Sequence, residues 1–166
     1  MLIHIDAIIN KGKDDTWIFT GVYGEPVTHL RHETWSLIQD LNNCFSIPWL
    51  CTRDFNELTS NLEKLGGATS NLEKLGGANR NQNQMQLFRD VIDECGFLDL
   101  GFFGTQFTWH KHFANGHLVW ERLDRGLANN EWILQFRGTR VHHLHSNNSD
   151  HHPLWIVPVG LDPPCA

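Results

Sequence analysis

The sequence lacks the long apolar run and the excess of positive charge that mark two common classes of protein. No stretch approaches the roughly 18 consecutive apolar residues of a transmembrane helix, and His4 and Asp6 interrupt the segment where a signal peptide keeps an apolar core. Lys and Arg number 13 against 19 Asp and Glu, so the formal net charge is −6. We therefore expect neither a membrane-spanning protein nor one that coats nucleic acid by neutralising its phosphates.

Cysteine, proline and glycine are also sparse. The four cysteines form no C-x-x-C pair, which argues against a zinc ribbon, a redox motif and a disulfide framework. With 6 prolines, 14 glycines and 40% apolar residues among 166 positions, the chain is not predicted to be disordered. A domain of this length buries roughly 70% of the surface of its unfolded chain, so we expect one sizeable core.

The apolar pattern predicts a mixed fold with more strands than helices. Alternating residues over 2–9 and an aromatic and β-branched run over 16–23 flank a polar turn, which predicts a β-hairpin. Apolar residues three to five positions apart predict a helix over 31–43, and a second helical pattern that includes Met85 ends at Gly96. Further strands are predicted at 47–51, 97–100, 106–109, 118–123, 139–144 and 154–157.

One ten-residue segment occurs twice in succession. The sequence TSNLEKLGGA fills residues 59–68 and again, without a change, residues 69–78. Two perfect copies do not make a solenoid, which needs at least three stacked units, so we interpret them as a recent tandem duplication in the coding sequence. Doubling a flexible loop adds only about 0.6 kcal/mol of closure entropy. The duplication nevertheless begins close to residues that bear on function.

Two polar segments follow predicted strands and carry groups suited to catalysis. Asp54 and Asn56 point to one side of an extended chain while Phe55 points to the other, so a carboxylate and an amide are expected to share a pocket. Asp150 and His151 lie between two predicted strands and present a carboxylate beside an imidazole. Taken alone, each segment is equally typical of a turn, because Asp, Asn, Ser and Pro all favour turns.

Several longer motifs occur together, in one order, along nearly the whole chain. They are WIFTGVYGEP, PWLCTRDFNE, EKLGG, QMQLFRDVIDECGFLDLGF, GTQFTWH, WERLDRGLAN and NNSDHHPL. In these motifs the chain closely resembles the endonuclease/exonuclease/phosphatase domain of plant LINE-type (non-LTR) retrotransposons. The resemblance implies an α/β (α+β) fold, a four-layer sandwich in which two packed, mostly antiparallel β-sheets are flanked by helices. It also implies hydrolysis of phosphodiesters with Mg²⁺ or Mn²⁺, ancestrally to nick target DNA for reverse transcription.

The resemblance assigns three residues to the phosphate and the attacking water. Asp54 looks like the carboxylate that orients or deprotonates this water, and Asn56 like the amide that holds a phosphate oxygen. Tyr23 resembles the tyrosine whose hydroxyl contacts the phosphate. Such groups are needed because hydrolysis must both activate water and neutralise the charge that builds on the phosphoryl oxygens.

Three residues are assigned by the resemblance to the cation and to the histidine. Asp150 looks like a carboxylate on the metal side, where Asp54 also contributes, since Mg²⁺ prefers oxygen ligands. His151 looks like the imidazole of the terminal S-D-H motif. Asp124 resembles the acid that fixes the tautomer of this imidazole.

Three departures from the family pattern bear on activity. The strands that carry the family's N-terminal Asn and metal-binding Glu are absent, because the chain starts with Met1 at a later strand, and this leaves a new sheet edge open. Arg53 stands where the family has a Gly, whose backbone conformation other residues accept poorly. The duplication lengthens the adjacent loop. We therefore expect a truncated, degenerate and inactive copy in which Mg²⁺ or Mn²⁺ binding is weakened.

The resemblance also fixes the expected domain limits and partners. A partial domain is predicted over 1–160, with 59–78 as a duplicated loop insert and 161–166 as a tail. DNA is the implied ancestral substrate, no membrane partner is expected, and the parent polyprotein is expected to carry a reverse transcriptase domain. The sequence leaves the location undetermined beyond an intracellular site compatible with the nucleus.

Two alternatives remain open at this stage. The chain is a non-catalytic fragment without function, or it is a zinc-binding module, since imidazoles are good Zn²⁺ ligands and the C-terminal segment holds His142, His143, His145, His151 and His152. The charged segment 121–125 is interpreted as a solvated cluster, and Arg137 and Arg140 as solvated charges. Trp109 and Trp120 are interpreted as core residues rather than platforms for nucleobases.

Overall fold

A computed structural model describes residues 3–65, 81–114 and 116–158 of the chain. The predicted tail and the second copy of the repeat lie outside these residues. Two short 3-10 helices span Thr28–Leu30 and Asn61–Glu63. The remaining elements are β1 (Ile3–Ile9), β2 (Trp17–Tyr23), α1 (Arg31–Cys44), β3 (Trp49–Asp54), β4 (Lys64–Leu65), α2 (Gln82–Glu94), β5 (Leu98–Asp99), β6 (Phe103–Gly104), β7 (Trp109–His112), β8 (Leu118–Glu121), β9 (Asp124–Ala128), α3 (Asn130–Gln135), β10 (Arg140–His143) and β11 (Leu154–Val157).

The strands form one large sheet and two small ones. The large sheet has the order β1-β2-β3-β9-β5, and each neighbouring pair is antiparallel except β2 and β3, which are parallel. The small sheets have the orders β11-β10-β6 and β4-β8-β7. A single bridge between Trp109 and His151 connects the end of β7 to the segment that leads into β11. Both small sheets therefore approach the large sheet near the carboxyl end of β3.

The main core lies between the large sheet and helices α1 and α2. Trp35 of α1 stacks on Phe88 of α2 with ring centroids 4.6 Å apart, and Phe55 packs against the same phenylalanine at 5.4 Å. Trp49 of β3 is fully buried among them. On the opposite face of the sheet, Trp132 of α3 packs edge-on against Trp17 at 4.8 Å, together with residues of β3, β9 and β11.

The predicted hairpin and both predicted helices are confirmed, while several strand limits differ. The first helix ends one residue later than predicted, at Cys44. The strand predicted at 47–51 begins at Trp49 and continues to Asp54. It begins later than predicted because Pro48 lacks an N–H for the ladder and the Trp49 amide donates to the side chain of Asn129. The strand predicted at 106–109 is wrong, since the chain becomes a strand only at Trp109.

The strand predicted at 118–123 is shorter than predicted and ends at Glu121. A separate strand, β9, begins at Asp124 and pairs with β3 in the large sheet. The sequence analysis missed β9 together with α3, which begins at a cap: Oδ1 of Asn129 accepts from the Trp132 amide at 3.0 Å. It also missed the two-residue strands β4 and β6.

The charged segment 121–125 is buried, so its interpretation as a solvated cluster is wrong. Arg125 has no exposed surface and Arg122 is 7% exposed. Both guanidinium groups bind Glu63 and Asp99, with N–O distances between 2.8 and 3.2 Å. Charges that leave water in this way must be paired, and here each arginine bridges two carboxylates. Because Glu63 belongs to the first copy of the repeat, the described part of that copy belongs to the fold and is not a plain loop insertion.

Strand β1 forms one edge of the large sheet. Among the described residues it pairs only with β2, and Ile3, Ile5 and Ile8 remain 45 to 63% exposed. Asp6 accepts from the Thr20 hydroxyl at 2.6 Å and lies 3.4 Å from His4. Within the described part of the chain, no helix combines the length and apolarity needed to cross a bilayer.

Candidate active site

Three predicted site residues lie side by side across the large sheet. In the register of the strands, Tyr23 at the end of β2 is opposite Asp54 at the end of β3, and Asp54 is opposite Asp124 at the start of β9. Both carboxylates are buried, with 3% and 6% of their surface exposed, whereas Tyr23 is 43% exposed. Two acids are thus held next to each other at the edge where the strands end.

The turn after β3 holds Asn56 against Asp54. The Asn56 backbone has a φ of 54°, and this left-handed conformation lets its amide N–H donate to Oδ1 of Asp54 at 2.8 Å. Its side-chain amide donates to Oδ2 of Asp54 at 3.1 Å and to the carbonyl of Gly24 at 2.7 Å. Phe55 points into the core, so the predicted division of the turn into a core side and a pocket side is confirmed.

Gly24 allows this turn to approach the end of β2. A Cβ at this position would lie 2.6 Å from the carbonyl oxygen of Phe55, closer than a Cβ carbon comes to a backbone oxygen. The Gly24 N–H donates to the Asp54 carbonyl at 2.7 Å. The site therefore depends on the glycine of the WIFTGVYGEP motif, which the sequence did not mark as a site residue.

Arg53 has a backbone conformation that favours glycine. Its φ is 116°, far outside the range that L-residues populate, and its side chain is exposed. The arginine keeps the turn geometry of Asp54 at a cost in backbone strain.

His151 completes the site by linking the two acids. Its Nδ1 lies 2.9 Å from Oδ2 of Asp124, and its Nε2 lies 3.7 Å from Oδ2 of Asp54. With Nδ1 donating to Asp124, the imidazole presents Nε2 toward Asp54. The structure thus brings the predicted residues Asp54, Asp124 and His151 together.

Thr108 is a buttress of the site that the sequence analysis did not single out. Its buried hydroxyl accepts from the N–H groups of Leu123 and Asp124 at 3.0 and 2.9 Å, and its carbonyl accepts from the His152 N–H at 2.7 Å. One residue therefore fixes the backbone beside both Asp124 and His151. The only sequence signal was its place in the GTQFTWH motif, because a threonine before an aromatic residue is otherwise common in strands.

A buried ion pair also stabilises the turn after β3. Arg31 at the start of α1 bonds Glu57 through Nη1 at 2.5 Å and donates to the carbonyls of Glu25 and Pro26. Glu57 is fully buried, and its second oxygen accepts from the Leu58 N–H at 3.0 Å. Sequence reasoning missed this pair because Glu57 and Arg31 lie 26 positions apart.

Both the Asp54 carboxyl and the His151 imidazole have a raised pKa. Burial, and then the charge of Asp124, raise the pKa of Asp54 to about 6, although the Asn56 N–H, His151 and Arg31 oppose this. Burial alone would lower the pKa of His151, but its hydrogen bond to Asp124 and the charges of Asp124, Asp54 and Asp150 outweigh burial and raise it. The raised pKa of Asp54 makes its carboxylate a stronger base than an ordinary aspartate, and that of His151 favours the protonated imidazole, so both groups are suited to acid–base chemistry.

Asp150 lies at the rim of the site. It is exposed, its Oδ2 accepts from the indole N–H of Trp109 at 3.2 Å, and its carbonyl accepts from the His110 N–H at 3.0 Å. Its charge acts on His151. Trp109 is half-buried, packs against the core and lines a surface pocket beside Asp150, so its interpretation as a core residue is only partly right.

A cleft of about 680 Å³ opens beside these residues, between the large sheet and β11. At one end it is polar, where Arg53, Asp124, Ser149 and His151 line it. The rest of its wall is apolar and comes from β1, β2, β3 and β11. The acid–histidine pair is therefore reached from solvent through a largely apolar groove.

Comparison with solved structures places this site in a known architecture. The chain is similar to the endonuclease domain of TRAS1, a telomere-specific non-LTR retrotransposon, with a TM-score of 0.63 and 14% identity over 93% of this chain and 68% of that chain. This chain has the endonuclease/exonuclease/phosphatase sandwich fold. The cytolethal distending toxin of Haemophilus ducreyi matches with a TM-score of 0.49 and 16% identity, over 95% of this chain and 57% of that one. No protein-family model and no curated protein matches.

The side chains present in the sandwich do not by themselves make a metal centre. In residues 3–65, 81–114 and 116–158, no group of three His, Cys, Asp or Glu side chains converges on one cation position. Asp54 already accepts two hydrogen bonds from Asn56, and Asp150 is bound to Trp109. Two carboxylates in these arrangements offer fewer oxygen ligands than Mg²⁺ usually takes from a protein and its substrate.

The C-terminal histidines are used in packing. His142 stacks on Phe103 with centroids 5.4 Å apart, and His143 stacks on Phe102 at 4.5 Å. His145 contacts His152 edge-on at 5.3 Å. Among the described residues, no three His, Cys, Asp or Glu side chains converge on a position that could hold zinc, so the geometry does not favour the zinc-binding alternative.

Proposed function

We propose that this chain is a catalytically inactive copy of a plant LINE-type retrotransposon endonuclease domain. Its ancestral reaction was the Mg²⁺- or Mn²⁺-dependent hydrolysis of a phosphodiester in DNA. The observation that supports this ancestry is the contact series from Asp124 through His151 to Asp54, at the strand ends of a nuclease-like sandwich. The resemblance in the motifs adds the order and identity of the site residues.

The chain's own residues account for part of such a reaction. Asp124 holds the imidazole of His151 in one tautomer, and the protonated imidazole offers an N–H and a positive charge to a phosphate oxygen. Asp54, with its pKa raised to about 6, is ionised at neutral pH and basic enough to accept a proton from an attacking water. Tyr23 lies in the same row of the sheet, where its exposed hydroxyl is available to a phosphate.

Two features support the loss of activity. Both side-chain N–H groups of Asn56 are bonded within the site, so the contact with a phosphate oxygen that the resemblance implies requires one of these bonds to be exchanged. Asp150 and Asp54 are the residues that would hold Mg²⁺, and their hydrogen bonds to Trp109 and Asn56 leave few oxygen ligands for it. When bound, the cation would supply Lewis acidity for the phosphoryl oxygens.

A nicking assay on supercoiled plasmid tests the proposal. The purified chain is incubated with Mg²⁺, with Mn²⁺ and with EDTA, beside the Asp54→Asn and His151→Ala variants. We expect the same background of relaxed plasmid in every lane. Nicking that requires the cation and disappears in both variants would show that the chain is an active enzyme and would overturn its proposed inactivity.

The genomic neighbourhood tests the ancestry separately. We expect the flanking DNA to encode remnants of a retrotransposon, among them a reverse transcriptase. An isolated gene without such remnants would contradict the retrotransposon origin, whatever the plasmid assay shows.

A further inference from the structure

Residues 59–65, in the first copy of the repeat, bind to one surface of the sandwich. We call this surface the dock; it is formed by Arg89, Glu121, Arg122 and Arg125. Glu63 makes the central contact with the dock, since its carboxylate accepts from both arginines of the buried network and from the Thr59 N–H at 2.7 Å. The Glu63 carbonyl accepts from the Arg122 N–H at 3.0 Å. The charge of Arg125 holds the pKa of Glu63 low although burial alone would raise it.

Other contacts of the dock also fall on residues of the repeat. Arg89 of α2 donates to the Thr59 carbonyl. Lys64 pairs with Glu121 at 3.1 Å, and the short strand β4 lies antiparallel to β8. Leu62 and Leu65 are 82% and 58% exposed, so they contribute through their backbone. The dock therefore recognises the side chains of Glu63 and Lys64 and the backbone of the residues around them.

The second copy presents the same residues at the same spacing, with Glu73 and Lys74 in place of Glu63 and Lys64. Removing residues 59–68 or residues 69–78 gives one and the same shorter sequence. In that sequence a single copy would be joined directly to Leu58 on one side and through five residues to Asn81 on the other. In the present chain the first copy keeps the direct connection to Leu58, and the second copy keeps the five-residue connection to Asn81.

We propose that the two copies compete for this one dock, so that residues 69–75 replace residues 59–65 in a second folded form of the same chain. In the form described above, the additional ten residues lengthen the connection from Leu65 to Asn81 from 5 to 15 residues. In the exchanged form they lie between Leu58 and Thr69. Closure probability falls with roughly the 3/2 power of loop length, so the first copy is favoured by a factor on the order of ten.

Substitution of the two equivalent glutamates tests the exchange. The folding equilibrium constant is measured by urea unfolding, followed by tryptophan fluorescence, for Glu63→Ala, for Glu73→Ala and for the double variant. We expect Glu73→Ala to change it less than twofold, and Glu63→Ala to lower it on the order of tenfold, because the second copy takes the dock. The double variant leaves buried Arg125 without a glutamate from either copy, so its folding equilibrium constant should fall about 10²- to 10³-fold.

The chain without residues 69–78 provides the matched control, because it has no second copy. There Glu63→Ala should show the full loss. An equal loss for Glu63→Ala and the double variant in the full chain would overturn the proposal. Recovery that grows with protein concentration and is accompanied by a dimer in light scattering would overturn it too, because the second copy would then come from another molecule.

A disulfide trap gives a direct readout in chains with an intact repeat glutamate. Lys64 lies opposite Glu121 across the β4–β8 pair, a distance that a disulfide spans. Lys64→Cys with Glu121→Cys, and separately Lys74→Cys with Glu121→Cys, are oxidised in a background of Cys44→Ser and Cys165→Ser. We expect a crosslink within one chain for both pairs. Crosslinking of the first pair alone would overturn the exchange.

Discussion

Replacing Arg53 by glycine should stabilise the fold, although it removes a side chain beside the site. The arginine holds a φ of 116°, and a residue other than glycine in such a region costs of order 1–3 kcal/mol. Glycine gives back about 0.4–1 kcal/mol through the greater freedom of its unfolded chain. The free energy of unfolding should therefore rise by about 1–2 kcal/mol, which corresponds to about 3–6 °C in Tm for a chain of this size.

Urea unfolding followed by tryptophan fluorescence measures this gain, with Arg53→Ala as the matched control. Alanine removes the same exposed side chain and its charge but keeps a Cβ, so it should retain the strain and gain little. An equal gain for both variants would mean that the arginine side chain, rather than its backbone, destabilises the native state. A loss in Arg53→Gly would refute the strain argument altogether.

Three further predictions concern the acid–histidine pair. Because the pKa of Asp54 is raised to about 6, its ionisation costs stability in full above pH 6, and this cost falls as the pH falls toward the ordinary aspartate pKa of about 4. Asp54→Asn should therefore raise the free energy of unfolding by about 1–3 kcal/mol at pH 7.5 and by only about a third of that at pH 4.5, and equal effects at both pH values would contradict this. In Asp124→Asn the pKa of the His151 imidazole should fall, because the charge and hydrogen bond of Asp124 no longer oppose the effect of burial. The pKa is followed by NMR, and an unchanged value would disprove the pairing of His151 with Asp124. Thr108→Val should lower the free energy of unfolding by about 1–3 kcal/mol, since two buried N–H groups lose their acceptor, whereas Thr108→Ser should not; equal losses would count against this role.

The elements that the sequence predicted best are those whose signal is local. The hairpin around the turn at Asn10 and the helix from Arg31 are visible in their period of apolar residues alone. The D-x-N turn was predictable for the same reason, because alternation across Phe55 fixes which side chains share a face. Even the strain at Arg53 followed from one residue and the family pattern.

What the sequence could not reveal depends on distant partners. Arg125 looks solvated until Glu63 and Asp99, 62 and 26 positions away, are seen to enclose its guanidinium group. Strand β9 was hidden for the same reason, since its charged first residues are typical of a surface segment. The buttress at Thr108 depends on bonds across 15 and 16 positions, and no local pattern marks it.

The open edge at β1 has a consequence for how the chain behaves outside a test tube. Among the described residues no further strand pairs with the outer side of β1, and its exposed isoleucines can add an extended polypeptide to this rim. The polar side chains of His4 and Asp6 interrupt its apolar surface only locally. Association of the protein with other extended chains would therefore begin at this rim.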